Sequence, residues 1–522
     1  MPRDVTIIVD GRPIAAPEGT TLASALLGAG ITQFRTSVTG ESRAPVCGMG
    51  VCFECRVTVD GRPHQRSCLI PCTDGLHVET MPNDVRPWVP AVHTESGLRT
   101  CDVAVIGGGP AGIAAATAAA EAGARVIVID QGVRPGGQIW RHRDPASLPK
   151  LARAWIARCE RARADGNSAP EWLARSTVFD ASVGDDIVLR LTGEGPAAAG
   201  TVRARRVVIA TGARELFLPF PGWTLPGVMG LGGAQALLKG GMTVRGWRAV
   251  VAGSGPLLLP VAAALVHAGA RVTHVVEQAP LSQAVSFGAG LWAHPAKAFQ
   301  AVRYGASLLG ARIRFGTWVA SAEGDADRVA CASLTDGRRA WTVPCDVLCC
   351  SYGFVPNVEL ARLIGCDIQR GRVMVDATQQ TSVPGVWCAG EPTGVAGESA
   401  ALVEGQIAGL AAAGADARAH SARLQRARDG WRRFGDSLTG TFRPRDDVRA
   451  LATDDTLICR CEDVRRDALD PSWTVRQAKL YTRVTMGPCQ GMVCGAACAS
   501  LFGWSAGTVR PPVGGTEVAR LG

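Results

Sequence analysis

Hydrophobic and polar residues alternate near the start of the chain in a way that predicts a small β-rich region with one helix. Residues 5–9 have the period-two pattern of a strand, Asp10 and Gly11 are typical of a hairpin turn, and residues 13–16 return beside the first strand. Residues 22–27 are an apolar segment that follows two threonines able to cap a helix. The other predicted elements of this region are two strands and a proline-marked linker, at residues 56–59 and 76–80 and at Pro82, Pro87 and Pro90.

The middle of the chain, residues 100–440, shows a strand, a glycine-rich turn and a helix twice. Its strands are rich in Val, Ala and Ile, which is typical of parallel sheets covered on both faces. Residues 103–120 and 249–270 carry no charge and are long enough to resemble membrane spans. Because each contains a Gly-x-Gly turn and a proline, we predict a buried strand running into a helix in both. The fold class is therefore α/β.

Composition narrows the class of protein. A chain of 522 residues is too long for one ordinary domain. With 47% hydrophobic and 19% charged residues, disorder, a fibrous repeat and a coiled coil are excluded. The net charge of +9 comes from scattered arginines with only four lysines, so no stripe for nucleic acid is predicted.

The N-terminus lacks a signal-peptide pattern, which predicts a soluble, cytoplasmic protein without a transmembrane segment. In that compartment disulfides are rare. Metal ligation is therefore the leading explanation for any of the 18 cysteines that cluster.

The first cysteine set has the C-x4-C-x2-C spacing of a plant-type [2Fe–2S] cluster. Gly48 and Gly50 let the loop wrap closely, and their amides can donate to the sulfur atoms. Free or zinc-binding thiols are the alternative, and Cys72 is an alternative to the fourth ligand, which is expected on an adjacent strand. The predicted ligands are Cys47, Cys52, Cys55 and Cys68.

A dinucleotide site is predicted where Gly-x-Gly-x-x-Gly follows one strand, opens a helix and precedes an acidic residue by eighteen positions. Gly107 would make the turn, Gly109 would let a pyrophosphate approach the helix N-terminus, and Gly112 would let the helix pack on the sheet. Asp130 would hold the ribose hydroxyls. The remaining candidates of this site are Pro110, Ala111 and Gln131.

Three later segments resemble signatures of the two-dinucleotide flavoproteins. The resemblance implies FAD in the first site, a loop lining its pyrophosphate, and an acid directed toward the ribityl chain. The residues that carry it are Gly136, Gly137 and Gln138 in the loop, Thr211 and Gly212, and Gly390 and Glu391, where that family usually has Asp.

A second nucleotide motif contains Gly253 and Gly255 but has Leu258 in place of the third glycine. Looser packing of helix on strand is therefore expected there. Glu277 ends the following strand and would favour NAD over NADP if either binds. The alternative is a retained fold with an empty or altered pocket.

Disulfide reductases of this fold carry a redox cysteine pair, which this chain lacks after the first site and within residues 241–344. Disulfide reduction is therefore excluded. Six other cysteines are interpreted as small buried hydrophobic residues: Cys331, Cys345, Cys349, Cys350, Cys366 and Cys388.

The second cysteine set consists of C-x-C and, after 27 residues, C-x4-C. Two close pairs near a helical stretch resemble the [2Fe–2S] fold of bacterioferritin-associated ferredoxin. Zinc or no metal are the alternatives, and Cys498 is an alternative ligand. The predicted ligands are Cys459, Cys461, Cys489 and Cys494.

Together these modules resemble the α-type subunits of hydrogen cyanide synthase, opine oxidase and dye-linked proline or hydroxyproline dehydrogenases, with a ferredoxin-like subunit fused in front. Runs such as residues 134–139, 253–260 and 353–357 carry the likeness. It implies a two-dinucleotide-binding, Rossmann-like flavoprotein core between a β-grasp ferredoxin-like domain and a small α-helical [2Fe–2S] domain. The predicted domains are residues 1–98, 99–240, 241–344, 345–445 and 446–522.

The resemblance further implies that substrate is oxidised at a flavin in an amino-acid-oxidase-like β subunit, and that this chain accepts the electrons. It allows an FMN at the contact between the subunits and NAD or ATP in a nucleotide site. A quinone or a carrier would be the downstream acceptor. The leading hypothesis is an electron-transfer subunit of a dehydrogenase for a C–N bond. The alternatives are a self-sufficient NADH:acceptor reductase and a non-enzymatic scaffold.

Overall fold

The computed structural model describes residues 3–81, 97–163, 169–193, 200–415, 418–505 and 507–516. The predicted linker at Pro82, Pro87 and Pro90 lies outside the described residues. The chain forms two compact units, each assembled from separate segments. The first unit contains residues 1–88, 215–353 and 439–507, and the second contains residues 89–214, 354–438 and 508–522.

The first unit begins with an antiparallel hairpin in which Val5 pairs with Ala16 and Ile7 with Ile14. Alternate residues of its first strand are buried, as the period-two pattern predicts. The predicted hairpin, helix and two later strands are confirmed. A strand that the sequence reading missed follows the second turn and completes the sheet. In spatial order the strands are Arg12–Pro17, Asp4–Val9, His77–Glu79, Arg56–Val59 and Arg62–Arg66, with the helix Leu22–Gly28 and the short strands Arg35–Thr36 and Ser42–Arg43.

The same unit contains a five-stranded parallel sheet and a separate antiparallel sheet of three strands. The parallel strands in spatial order are Val228–Met229, Val347–Ser351, Arg248–Gly253, Arg271–Glu277 and Arg312–Phe315. The antiparallel strands are Trp318–Gly324, Val329–Thr335 and Ala340–Pro344. The helices are Leu231–Lys239, Leu258–His267, Leu281–Gly290 and Pro295–Ala306.

The C-terminal part of this unit is small and mostly helical. A Thr474–Gln477 capping box starts one of its helices, because each side chain bonds the other residue's backbone N–H. Its elements are the helices Asp446–Arg449, Val475–Thr482 and Cys494–Phe502 and the strands Leu457–Cys459 and Val464–Arg465.

The second unit is built on a seven-stranded sheet whose central strands are parallel and strongly apolar. In spatial order its strands are Glu171–Leu173, Val126–Ile129, Leu98–Ile106, Gly200–Ile209, Ile187–Gly193 and Ser176–Val183, with Val386–Cys388 also paired to Gly200–Ile209. The helices are Pro110–Glu121, Lys150–Arg161, Glu359–Ile364, Glu398–Ala412 and, up to Leu438, the helix Arg418–Thr441. Short elements elsewhere are the strands Ala213–Glu215, Phe354–Pro356, Ile368–Gln369 and Arg372–Val373 and the 3-10 helices Ser67–Leu69, Pro145–Ser147, Leu291–Ala293 and Glu391–Thr393.

Two glycines allow a close helix–helix contact in the second unit. A Cβ atom on Gly405 would lie 2.2 Å from the carbonyl oxygen of Ala111, and one on Gly409 would lie 2.2 Å from that of Ala115. The helix Glu398–Ala412 can therefore pack directly on the backbone of Pro110–Glu121.

Both uncharged segments, residues 103–120 and 249–270, form a strand followed by a helix, as predicted. Of the helices described in the structure, none combines the length and the apolar character that a membrane crossing needs. The division into five domains stays a prediction. The first unit joins the N-terminal region, the second nucleotide fold and the C-terminal region.

Candidate functional site

The four predicted ligands of the first cysteine set are all buried in the first unit. The backbone N–H groups of Met49 and Cys52 each donate to the Cys47 sulfur at 3.4 Å. Gly48 and Gly50 have φ angles of 59° and 81°, which favour glycine, and a Cβ on Gly50 would lie 2.6 Å from the Leu69 side chain. The loop therefore presents the amides of Met49 and Cys52 to sulfur, and donation by the amides of Gly48 and Gly50 stays a prediction.

Within this set the thiols approach one another in pairs. The hydrogen bond from Cys52 lowers the pKa of Cys47 to about 6; backbone N–H groups add to this effect and burial opposes it. The pKa of Cys52 rises well above its usual value. A hydrogen bond with Cys68 likewise lowers the pKa of Cys55. Thiolates are the metal-binding form, so each pair holds one sulfur poised to bind. Cys68 lies in the 3-10 helix that follows Arg62–Arg66, rather than in the strand itself.

Cys72 has a different environment. Burial raises its pKa to about 11, and its backbone N–H donates to Thr20. Cys68 is therefore the better candidate for the fourth ligand.

The second cysteine set is also buried, and its sulfur atoms approach closely. The Cys461 and Cys489 sulfur atoms lie 3.4 Å apart. The hydrogen bond with Cys459 raises the pKa of Cys461 to about 12, partly opposed by the one with Cys489. A Cβ on Gly487 would lie 2.1 Å from Cys461 Cβ, so only glycine allows this approach.

Cys494 begins the helix Cys494–Phe502, and Cys498 follows one turn later. The hydrogen bond from Cys459 is the largest single influence on the pKa of Cys494 and lowers it, but burial and the neighbouring thiols together raise this pKa above its usual value. For Cys498, burial is the main influence and raises the pKa of the thiol to about 12. This arrangement favours Cys494 as the ligand.

Among the residues with described placement, no three Cys, His, Asp or Glu side chains form a group that could hold a single metal ion. A [2Fe–2S] cluster divides four cysteine ligands between two irons. In the first set Cys47 pairs with Cys52 and Cys55 with Cys68, which fits that division. In the second set, hydrogen bonds link the thiols in one series, in the order Cys489, Cys461, Cys459 and Cys494.

In the second unit the first glycine motif lies at the carboxyl edge of the parallel sheet. Gly107 has a φ of 109°, and a Cβ there would lie 2.2 Å from the carbonyl oxygen of Ala210. A Cβ on Gly112 would lie 1.8 Å from the Gly107 carbonyl oxygen. The helix begins at Pro110, followed by Ala111, so its free N–H groups face the turn.

Asp130 ends the neighbouring strand and already accepts two backbone hydrogen bonds. Its carboxylate oxygens take the N–H groups of Gly108 and Gly132, both at 2.6 Å. Burial raises the pKa of Asp130, and Gln131 beside it is half-buried. The carboxylate therefore fixes the turn, and its contact with a ribose stays a prediction.

The loop predicted to line the pyrophosphate lies on the glycine motif. Gly136 N–H donates to the Gly108 carbonyl at 2.8 Å, and a Cβ on Gly137 would lie 2.8 Å from Gly109 Cα. Gln138 Oε1 is buried without a hydrogen-bond partner. An unpartnered buried acceptor beside closely packed glycines fits a dinucleotide site. These residues would hold FAD.

Thr211 and Gly212 are tied to a segment that the resemblance also singled out. Thr211 Oγ1 donates to the Asn357 carbonyl at 2.7 Å, Asn357 Nδ2 donates to the Thr211 carbonyl at 2.8 Å, and Asn357 N–H donates to that of Gly212 at 3.0 Å. Asn357 thus positions the turn after the central strand.

Gly390 is close to the first helix, since a Cβ on it would lie 2.8 Å from Ala111 Cβ. Glu391 accepts from Gly397 N–H at 3.0 Å, and burial raises the pKa of its carboxyl to about 7. Glu404 was missed by the sequence reading. It is buried within an apolar helix, and it accepts from Gly390 N–H at 2.9 Å.

The second nucleotide motif is covered by its own chain. Ser254 Oγ donates to the carbonyl of Phe442, and a Cβ on Gly255 would lie 3.7 Å from the Phe442 side chain. Gln278 bonds both Ser254 and Arg445, at 3.0 and 3.1 Å.

The acidic residue of this second site, Glu277, is hydrogen-bonded to the backbone. Glu277 accepts from Gly255 N–H at 2.6 Å and from Ala279 N–H at 2.8 Å. Gly253 makes the turn with a φ of 136°, and Leu258 is buried at the helix start. Asp130 of the first site makes the same kind of backbone contacts as Glu277, so it is the Phe442 contact that favours the altered-pocket alternative.

Of the six cysteines interpreted as buried, five are buried and Cys331 is only half-buried, because it lies on a strand of the small antiparallel sheet.

Comparison with known protein families matches two segments of the chain. Residues 101–414 match the family Pyridine nucleotide-disulphide oxidoreductase, and residues 2–83 match the 2Fe-2S iron-sulfur cluster binding domain. Among the opine oxidase A subunits, that of Agrobacterium tumefaciens (strain Ach5) is 32% identical over 448 residues, covering 77% of this chain and 85% of the relative. The hydrogen cyanide synthase subunit HcnB of Pseudomonas protegens is 31% identical over 435 residues, covering 76% and 90%.

The fold is similar to the crystal structure of L-proline dehydrogenase from P. horikoshii, with a TM-score of 0.73 and 21% identity over 100% of this chain and 98% of that one. The family resemblance and the fold class expected from the sequence are thus confirmed. The chain is a flavoprotein oxidoreductase with an N-terminal 2Fe-2S domain, and it belongs to the family of opine oxidase A subunits and hydrogen cyanide synthase HcnB subunits.

Proposed function

We propose that this chain is the electron-transfer subunit of a heteromeric FAD/[2Fe–2S] dehydrogenase that oxidises a C–N bond. The observation that carries the proposal is the presence of two buried four-cysteine sets within one compact unit. Such sets suit single-electron transfer.

The flavin would lie on the first glycine motif, and the two cysteine sets would each hold one [2Fe–2S] cluster. A bound flavin takes up an electron pair and releases it singly, while clusters carry one electron each. Gly109 leaves space for the pyrophosphate, the helix N-terminus at Pro110 stabilises its charge, and Gln138 offers an acceptor. In the first loop the N–H groups of Met49 and Cys52 stabilise negative charge on sulfur.

The substrate would be an amino acid, an opine or a related secondary amine, oxidised at a flavin in an amino-acid-oxidase-like partner subunit. Support comes from relatives named as opine oxidase A subunits and sarcosine oxidase alpha subunits. An FMN at the contact with the partner, a quinone or carrier as acceptor and a cytoplasmic location complete the proposal.

NAD or ATP in the second nucleotide site has less support, because Phe442 and Ser254 close the glycine turn against the chain itself. The NADH:acceptor reductase is therefore the weaker alternative.

Anaerobic co-production with an oxidase-like partner subunit tests the proposal. We expect a stable complex that contains flavin and four irons per copy of this chain, two for each [2Fe–2S] set. We also expect it to reduce an artificial dye with an amine substrate. The chain alone should accept electrons from dithionite and leave the amine unchanged. Full substrate turnover by this chain alone, or an iron-free protein after anaerobic reconstitution, would contradict the proposal.

A further inference from the structure

Two charged residues that lie among the predicted cluster ligands meet inside the first unit. Glu54 directly precedes Cys55, and Arg460 lies between Cys459 and Cys461. Arg460 Nε donates to Glu54 Oε2 at 3.1 Å, and the two side chains are 3% and 1% exposed. A buried ion pair thus joins the two ligand loops, which are 406 residues apart in sequence.

A third charged group completes the arrangement. Arg35 Nη2 donates to the other carboxylate oxygen of Glu54 at 2.7 Å and to the Arg460 carbonyl at 3.0 Å. One carboxylate between two guanidinium groups leaves a net positive charge buried between the loops.

Arg460 is held from its other side as well. It donates to the carbonyl groups of Trp223 at 2.8 Å and Thr224 at 3.3 Å, and its guanidinium lies 5.0 Å from the centre of the Trp223 ring. The side chain therefore has one defined position.

Apolar residues of each loop also reach into the surroundings of the other cysteine set. Phe53 packs against the core that contains Cys459 and Cys489. Val493 belongs to the core that contains Cys47 and Cys52. The two cysteine sets are therefore neighbours.

We propose that the Glu54–Arg460 ion pair, with Arg35, positions the two ligand loops so that the two clusters lie side by side and exchange single electrons directly. This inference rests on the proposed function, because it needs a cluster in both cysteine sets. The exchange needs no co-reactant. One cluster loses the electron that the other gains, and no bond or proton changes.

Stability alone does not explain this arrangement. Desolvating a buried ion pair costs about as much as the pairing returns, and apolar replacements are often neutral or stabilising. A cluster gains one negative charge on reduction, and its potential depends on nearby charge and hydrogen bonds. A net positive group between two clusters therefore favours the reduced state of both.

The wild-type complex gives the first test, by EPR during stepwise dithionite reduction. With both clusters reduced, we expect spin–spin broadening and faster relaxation that are absent in Cys489→Ser, which would hold only the N-terminal cluster. Four irons with two independent signals would overturn this inference and leave the proposed function standing. Two irons per chain would instead remove the second cluster and both proposals with it.

Two variants with opposite charge changes give the second test. Arg460→Gln should shift the midpoint potentials of both clusters to more negative values, and Glu54→Gln should shift both to more positive values. Arg248→Gln is the matched control, because it breaks an exposed ion pair with Asp346 in the same unit and should move neither potential. Two results would overturn the proposal and leave Glu54 and Arg460 with a merely structural role. One is a shift in the potential of only one cluster. The other is a loss of iron while the potential of the remaining cluster is unchanged.

Discussion

Cys68 and Cys72 are separated by four positions in the sequence, and both are fully buried, but their sulfur atoms have different neighbours. Cys68 forms a hydrogen-bonded pair with Cys55, whereas burial is the cause that raises the pKa of Cys72. A thiol with another thiol beside it can share a metal centre.

We therefore expect Cys68→Ala to abolish the N-terminal cluster and remove half of the protein-bound iron. Cys72→Ala should keep the full iron content, because its sulfur lies apart from the paired thiols. Iron analysis and the visible spectrum of the anaerobically purified protein measure both. Equal iron loss in the two variants would show that the ligand assignment is wrong.

Glu277 predicts a dependence of stability on pH. Burial raises the pKa of its carboxyl from an ordinary value of 4.5 to about 7. Between these values the unfolded chain releases the proton that the folded chain retains, so the free energy of unfolding falls as pH rises. The loss is on the order of 3 kcal/mol and is complete above pH 7.

Glu277→Gln should flatten this dependence, because the amide resembles the protonated carboxyl. We expect its melting temperature, relative to wild type, to be higher at pH 8 than at pH 5. The exposed Glu323→Gln in the same unit is the control and should follow the wild-type curve. Parallel curves for wild type and Glu277→Gln would refute the assignment.

Among the helices, a glycine is required where another backbone lies too close for a Cβ atom. Gly405 lies against the Ala111 carbonyl, whereas a Cβ on Gly430, within the helix Arg418–Thr441, would meet nothing within 4 Å. Both are helical glycines of the second unit.

The same substitution at these two positions should have opposite effects. Gly405→Ala forces two helices apart and should destabilise the protein by about 1–3 kcal/mol. Gly430→Ala removes backbone entropy from the unfolded chain and should stabilise it by about 0.5–1 kcal/mol. Thermal unfolding of the holoprotein measures both, and destabilisation of similar size in both variants would contradict the packing argument.

Local patterns predicted the elements well. The hairpin around Asp10 and Gly11 and the two strand–turn–helix units follow from alternation, glycine position and apolar runs, which are properties of neighbouring residues. The meeting of Glu54 with Arg460 could not be predicted, because nothing in either local sequence identifies a partner so far away. Glu404 was missed for a related reason, since its acceptor role depends on the backbone of Gly390 in a separate turn.

For the whole molecule, the covered second nucleotide motif predicts the response to NADH. Ser254 Oγ donates to the Phe442 carbonyl, and a Cβ on Gly255 would lie 3.7 Å from the Phe442 side chain. A dinucleotide would have to displace this segment before its phosphates reached the turn.

Anaerobic addition of excess NADH should therefore leave the flavin absorbance of the holoprotein unchanged, whereas dithionite should bleach it. The same titration on the complex with its partner subunit checks that assembly does not open the site. Bleaching by NADH in either preparation would favour the self-sufficient reductase.

The segment with Phe442, which bonds Ser254, bears on which cellular reductants could reach the protein. Pyridine nucleotides are abundant reductants in cells. If NADH could reduce the flavin, electrons would pass to the acceptor whether or not an amine was present. Under the proposed function, the Phe442 contact would keep the electron path of the protein closed to NADH, and turnover would follow the supply of the amine alone.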